Sequence, residues 1–325
     1  MAGIENTANG NGEARFRCAL VSSRLNLRLC LGEEVSRIAH RVELVDHDDD
    51  RADDVRLALA WHPWADAFSR YPNLQAVCSI GAGVDNILSC PSLRPHIHVV
   101  RVVDPGQALM MSGFVVWHVI GHQRCFAAYH AQQRDRVWRP RKQRGTDRVP
   151  IGILGYGEIG RKVAADLAYL GFPVLCWSRT PKPSSGSARS YHGFAGLVAM
   201  LKESEVLVNV LPLTRETSGI LDAQAFANLR RGGFLVQVGR GEHLVEADLL
   251  EALDHGQLTG AALDVFATEP LPPSHPFWAH PKITITPHDA SDVNMMAVAN
   301  TLVATAEAIC AGRRPPYAID RKLGY

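Results

Sequence analysis

Three residues in the last third of the chain have types and spacings suited to moving a proton beside an anion. Arg240 lies in Val238-Gly239-Arg240-Gly241, Glu269 in Asp264-Val-Phe-Ala-Thr-Glu269-Pro270, and His288 closes Ile283-Thr-Ile-Thr-Pro-His288. Each follows a short apolar run that reads as a strand. Histidine exchanges a proton near neutral pH. A carboxylate on its second ring nitrogen favours the imidazolium and fixes the ring. A guanidinium binds a carboxylate through paired hydrogen bonds and stabilises negative charge that develops next to it. Taken singly, each has a plainer reading: a surface or structural histidine, a turn glutamate before proline, a helix-capping arginine. Their joint placement after successive strands favours one shared site.

Upstream, Gly155-Tyr156-Gly157-Glu158-Ile159-Gly160 spells G-x-G-x-x-G between an apolar run ending at Leu154 and a helical pattern from Gly160 to Leu170. Alone this is a weak signal, but strand, turn, helix and second strand follow at the spacing of a dinucleotide-binding unit. Gly155 would permit the tight turn, Gly157 the close approach of a pyrophosphate, and Gly160 close helix–strand packing. The helix start adds unpaired N–H groups for the phosphates. A hydride carrier bound here and an acid–base group nearby fit reduction of a 2-keto acid, whose keto oxygen becomes negative as the hydride arrives.

The second strand ends in Cys176-Trp177-Ser178-Arg179-Thr180, followed by Lys182, with no carboxylate to accept a ribose 2′-hydroxyl. Ser178 stands where the acid is expected, and Arg179 can pair with a 2′-phosphate that a carboxylate would repel. The expected cofactor is therefore NADP, with NADPH preferred and NAD use possible.

The elements that must position these groups alternate along the chain. Runs at 17–22, 41–45, 56–60, 75–80 and 98–103 are separated by helix-like stretches, notably 25–40. A helix is predicted from Met110 to Tyr129, and a second series has strands at 150–154, 173–177, 206–211, 234–238, 260–264 and 283–286. A last helix is predicted over 292–312. Such alternation predicts parallel sheets. Between the series, Arg134, Arg136, Arg139, Arg141, Lys142, Arg144 and Arg148 surround Trp138. Thirty-four basic against thirty-three acidic residues leave a net charge of +1. That balance makes a solvated connection the better reading of this stretch than a nucleic-acid patch.

At 325 residues the prior is about two domains. No apolar run is long enough to span a membrane, and Met1–Ala14 carries no signal-peptide core, so it reads as a disordered tail. The seven cysteines include no C-x-x-C pair, which points to a reducing, cytoplasmic setting and to no metal site.

These motifs resemble the D-isomer-specific 2-hydroxyacid dehydrogenases, and within them the glyoxylate/hydroxypyruvate reductase A type. Its markers run from Ser79-Ile-Gly-Ala-Gly-Val-Asp85 through the glycine loop and Leu211-Pro-Leu-Thr-Arg-Glu-Thr217 to Thr286-Pro-His288 and Ile319-Asp-Arg-Lys-Leu-Gly-Tyr325. The resemblance implies two Rossmann-like or flavodoxin-like α/β domains, the cofactor domain (113–288) inserted into a discontinuous substrate domain (15–112 and 289–325). It implies Arg240, Glu269 and His288 as the catalytic set, and Asp264 as a contact to the nicotinamide carboxamide. Leu211, Pro212, Val238 and Gly239 join the glycine loop and Ser178–Thr180 around the cofactor. Ala82 and Gly83 would hold the substrate carboxylate with Arg240, Trp61 would wall the substrate pocket, and a homodimer would form through the cofactor domains. Two places depart from the pattern. Met110-Met-Ser-Gly-Phe114 lacks the glutamate that usually opens the linking helix, Gly113 standing near its expected place, and Asp289 places a second carboxylate beside His288.

The expected activity is NADPH-preferring reduction of small 2-keto acids to D-2-hydroxy acids, His288 acting as general acid. Two alternatives stay open: a dinucleotide-sensing co-repressor on the same scaffold, and a dehydrogenase for a bulkier 2-hydroxy acid.

Overall fold

A computed structural model describes residues 15–183, 186 and 188–324; the expected N-terminal tail lies outside them. The chain divides into two compact units, one from the residues through Asp104 together with those from Val293 onward, the other Pro105–Asp292.

The first unit is built on β1 (Phe16–Ser22), β2 (Val42–Asp46), β3 (Val55–Trp61), β4 (Ala76–Ser79) and β5 (His98–Val100), all parallel in the order β2-β1-β3-β4-β5. Successive side chains of a strand point to opposite faces, so a sheet covered on both sides needs continuous apolar runs. Cys18 and Leu20 accordingly pack with Val298 and Leu302 of the helix Met295–Cys310. Ala19 and Val21 pack on the other face with Phe68, Tyr71 and Ile87.

The second unit carries β6 (Ile151–Leu154), β7 (Val174–Ser178), β8 (Arg189–His192), β9 (Val206–Asn209), β10 (Gly233–Gln237), β11 (Leu258–Leu263) and β12 (Ile283–Ile285). They are parallel in the order β12-β11-β10-β9-β6-β7-β8. Ile151 and Ile153 face Val163 and Leu167 of the helix Glu158–Tyr169, together with Val115 and Val119 of the helix Pro105–Gln123. On the opposite face Leu154, Leu207 and Leu235 meet Met200, Leu201 and Phe226.

Several boundaries differ from the sequence expectation. The stretch 25–40 forms two short helices, Leu27–Leu31 and Glu34–Ile38, separated at Gly32, whose φ of +51° leaves the helical region. The long helix begins at Pro105, because proline's fixed φ fits a first turn that needs no N–H. It ends at Gln123, where Cys125 takes a left-handed φ of +60° and a second helix, Phe126–Arg134, begins. The units therefore divide at 104/105 and 292/293, not at 112/113 and 288/289. The whole helix Pro105–Gln123 belongs to the second unit: besides its apolar contacts, its buried Ser112 hydroxyl donates to Asp166 Oδ2 at 2.5 Å. Among the described residues no helix is long and apolar enough to cross a membrane.

Candidate active site

Parallel pairing puts the carboxyl ends of the second unit's strands along one edge, and every cofactor or acid–base candidate of that unit lies at such an end or follows one. In open α/β sheets ligands bind there, where the strand order reverses. In this sheet the order reverses between β6 and β9.

The glycine loop lies at that point. Gly155 has a φ of +105°, and a Cβ on it would come within 3.0 Å of the Val210 carbonyl oxygen and 3.3 Å of the Leu211 nitrogen. The turn after β6 is thus pressed against the Val210–Leu211 segment that follows β9. A Cβ on Gly160 would strike the Gly155 carbonyl, so the first helical turn folds back on the loop. Gly157 differs: a Cβ there meets nothing within 4 Å. Open space in front of a helix start, whose first N–H groups lack intrahelical partners, is a cradle that fits a pyrophosphate. Glu158 and Ile159 form that first turn, and Tyr156, buried behind it, stacks against the Arg161 guanidinium at 5.5 Å.

Beyond β7, the buried Ser178 donates through its hydroxyl to the Thr180 carbonyl at 2.9 Å, closing the turn that carries Arg179. Lys182, to which sequence reasoning gave no role, returns its ammonium to the Tyr156 carbonyl at 3.2 Å and so joins the rim of the glycine loop. A carboxylate does stand in this neighbourhood, supplied from elsewhere in the chain. Glu216 is held below the usual range by its own backbone N–H and the Thr214 hydroxyl, helped by the charges of Arg179 and Arg215.

The candidate acid–base pair forms across two loops. His288 Nδ1 lies 2.9 Å from Glu269 Oε2, while Glu269 Oε1 accepts the Phe266 N–H at 3.0 Å. Burial alone would raise the Glu269 carboxyl. The hydrogen bonds from His288 and Phe266, with the charges of His288 and Arg240, outweigh it and hold the group below its ordinary value. His288 takes a φ of +58°, unusual for a residue with a side chain. Asp264 enforces it. Its carbonyl accepts the His288 N–H at 2.8 Å, and its carboxylate accepts from Thr286 Oγ1 (2.6 Å), Asp289 N (2.8 Å) and Ala290 N (3.1 Å). Asp289 itself is exposed, so the carboxylate that meets the His288 ring is that of Glu269.

Arg240 is carried by the loop after β10. Its Nη1 donates to the Gly239 carbonyl at 2.8 Å. A Cβ on Gly241 would drive into the Phe266–Ala267 peptide, so the arginine loop lies directly on the chain leading to Glu269.

In the first unit, Ala60 pairs with Ser79, which places Trp61 beside the loop after β4. The Ser79 hydroxyl donates to the Gly83 carbonyl at 2.7 Å and accepts the Gly81 N–H at 3.1 Å, shaping the turn that holds Ala82 and Gly83. A Cβ on Gly81 would come within 3.9 Å of the Trp61 ring. Trp61, Ala82 and Gly83 therefore share one edge of the first sheet, while Arg240, Glu269 and His288 share one edge of the second.

Residues 116–290 match the family model described as D-isomer specific 2-hydroxyacid dehydrogenase, NAD binding domain. Over 282 residues the chain is 42% identical to glyoxylate/hydroxypyruvate reductase A of Serratia proteamaculans (strain 568), covering 85% of this chain and 89% of that relative. The chain belongs to the D-isomer-specific 2-hydroxyacid dehydrogenase family. Among solved structures, such a dehydrogenase from Xanthobacter autotrophicus Py2, in complex with NADPH and MES, superposes with a TM-score of 0.90 at 33% identity, covering 96% of this chain and 100% of that one. An NADPH-dependent glyoxylate/hydroxypyruvate reductase from Sinorhizobium meliloti, in complex with NADP and sulfate, superposes at 0.86 and 34% identity with the same coverage.

Proposed function

We propose that this dehydrogenase-family protein reduces small 2-keto acids of the glyoxylate and hydroxypyruvate class to D-2-hydroxy acids, with NADPH as the preferred donor. The observation that carries the reading is the His288–Glu269 pair, held with Arg240 on the sheet edge that also bears the glycine loop. The named activity of the Serratia relative and the bound NADPH and NADP of the two structural neighbours support it.

Gly155–Gly160 would hold the pyrophosphate, and Leu211, Pro212, Val238, Gly239 and Asp264 would border the nicotinamide half. Ser178, Arg179 and Thr180, with Lys182, would receive the 2′-phosphate. When bound, the dinucleotide supplies the hydride. Arg240 binds the substrate carboxylate and draws charge onto the keto oxygen. On the first unit's own sheet edge, Trp61, Ala82 and Gly83 are the residues offered to substrate. Glu269 holds Nδ1 of His288 and stabilises the imidazolium, so Nε2 is the atom that gives its proton to the developing alkoxide.

We also infer a homodimer acting in the cytoplasm. Leu109, Met110, Trp117 and Trp138 are exposed apolar side chains of the second unit, Trp138 at 97%, and pairing through that unit would cover them. Light scattering at twice the chain mass supports this; a monomer at micromolar concentration contradicts it.

The test of the reaction uses His288→Ala and Arg240→Ala. Both lose about a hundredfold or more in keto-acid turnover while NADPH binding, followed by fluorescence titration, survives. Near-wild-type turnover in both variants refutes the assignment.

A further inference from the structure

Behind the Arg240 loop lie three polar side chains, Asn209, Gln237 and His243, each with 0% exposure and none used by the reaction as derived. Asn209 ends β9, Gln237 ends β10, and His243 closes the single turn Gly241–His243. Asn209 Nδ2 donates to Gln237 Oε1 at 2.7 Å and to His243 Nδ1 at 2.9 Å, while its Oδ1 accepts the Leu211 N–H at 3.2 Å. Gln237 Oε1 also accepts the Gly239 N–H at 3.2 Å, and its Nε2 donates to the Arg240 carbonyl at 2.9 Å. His243 Nδ1 accepts the Arg240 N–H at 3.0 Å, and Nε2 lies 3.3 Å from the Pro212 carbonyl.

The donors fix the ring's tautomer. A backbone N–H can only donate, so Nδ1 keeps its lone pair, and the proton sits on Nε2 facing the Pro212 oxygen. Both sides of the Arg240 backbone are thereby fastened, the N–H by His243 and the carbonyl by Gln237. The loop packs without slack: a Cβ on Gly239 would come within 2.9 Å of both Asn209 Nδ2 and His243 Nδ1. Through its far nitrogen the same imidazole reaches the segment after β9 that borders the glycine loop.

We propose that His243 is a positioning residue: with Asn209 and Gln237 it sets the pose of Arg240 and ties it to the Leu211–Pro212 segment. This rests on the reading that Arg240 binds the substrate carboxylate. A buried, fully satisfied network has few alternative arrangements, so its loss lets a reacting group drift by the ångström that matters in catalysis.

The two ring nitrogens are separable by mutation. His243→Asn keeps an acceptor near the Nδ1 position, whereas His243→Gln keeps a donor near Nε2 and withdraws the acceptor from Arg240. The expected result is a keto-acid KM raised about tenfold or more in His243→Gln and restored to within about threefold in His243→Asn. A packing role alone would lower the melting temperature of both and leave the KM of the folded enzyme unchanged. Gln237→Met, which removes the side-chain donor from the Arg240 carbonyl at similar volume and leaves it only the His243 N–H at 3.1 Å, should also raise the keto-acid KM and serves if a His243 variant does not fold. Arg240→Lys, measured in parallel, separates the two layers. If it raises KM while His243→Gln and Gln237→Met do not, the positioning role is overturned and the function stands. If Arg240→Lys leaves KM unchanged, the substrate-binding role of Arg240 falls and the proposal falls with it.

Discussion

The backbone carbonyl of Asp264 accepts the N–H of His288 at 2.8 Å, and the Asp264 carboxylate accepts the next two N–H groups, of Asp289 and Ala290. One buried aspartate thus holds His288 in a left-handed conformation that costs on the order of 1 kcal/mol and points its ring at Glu269. In Asp264→Asn an NH2 group replaces one accepting oxygen, opposite groups that themselves only donate. Steady-state kinetics should show kcat reduced by about ten- to a hundredfold in this variant. An unchanged kcat would mean that the loop keeps its shape without the carboxylate.

Glu269→Gln removes the anion beside His288 while keeping its size. The Glu269 carboxyl is held below its ordinary value by its hydrogen bonds from His288 and Phe266. With an amide in its place the ring loses its charged anchor, and kcat should fall about tenfold or more while NADPH affinity stays within about threefold. An unchanged kcat would exclude a role for the Glu269 charge.

Two glycines of the same loop should respond oppositely to alanine. Gly157→Ala meets open space in the protein, so its melting temperature should stay near wild type while NADPH affinity falls about tenfold or more. Gly160→Ala meets the Gly155 carbonyl and should lower stability itself, by about 1–3 kcal/mol. Thermal melts with and without NADPH distinguish the cases; full NADPH affinity in Gly157→Ala would remove the pyrophosphate from this cradle.

Away from the site, the buried Glu205 receives Arg144 Nη1 and Nη2 at 2.9 and 2.6 Å and faces His122 Nε2 at 2.8 Å. Burial opposes its charge, but these partners prevail and bring its pKa to about 2 from 4.5. The carboxyl is depressed in the folded state, so its stabilisation is fully present above about pH 4.5 and is lost as pH falls toward 2. Allowing for the partly exposed guanidinium, it is worth on the order of 2 kcal/mol. Urea unfolding of Glu205→Gln against wild type should show that deficit near neutral pH and a shrinking one below about pH 4. A deficit independent of pH would assign the loss to packing alone.

The residues show what a linear reading can reach. The runs around Ile151, Val206 and Leu235 are legible because strands buried on both faces must be continuously apolar. The edge strand β8, Arg-Ser-Tyr-His, has no such run and was not anticipated. The break at Cys125 escaped because a left-handed cysteine has no sequence signature. The glycine loop stands out because its residues are consecutive. His243 and Lys182 act through distant partners, Asn209 and Tyr156, which share no local pattern with them. Gly239 and Gly241 are glycines for close packing and not for positive φ, a need that only neighbouring loops reveal.

NADPH-dependent keto-acid reduction is read from the loss of reduced-nicotinamide absorbance when the purified protein meets glyoxylate or hydroxypyruvate with NADPH or with NADH. Turnover is expected with both keto acids, with a kcat/KM about tenfold or more higher with NADPH, a preference that Arg179→Ala abolishes. Stoichiometric NADPH binding with no oxidation across a panel of 2-keto acids, or equal or better use of NADH, would contradict this function.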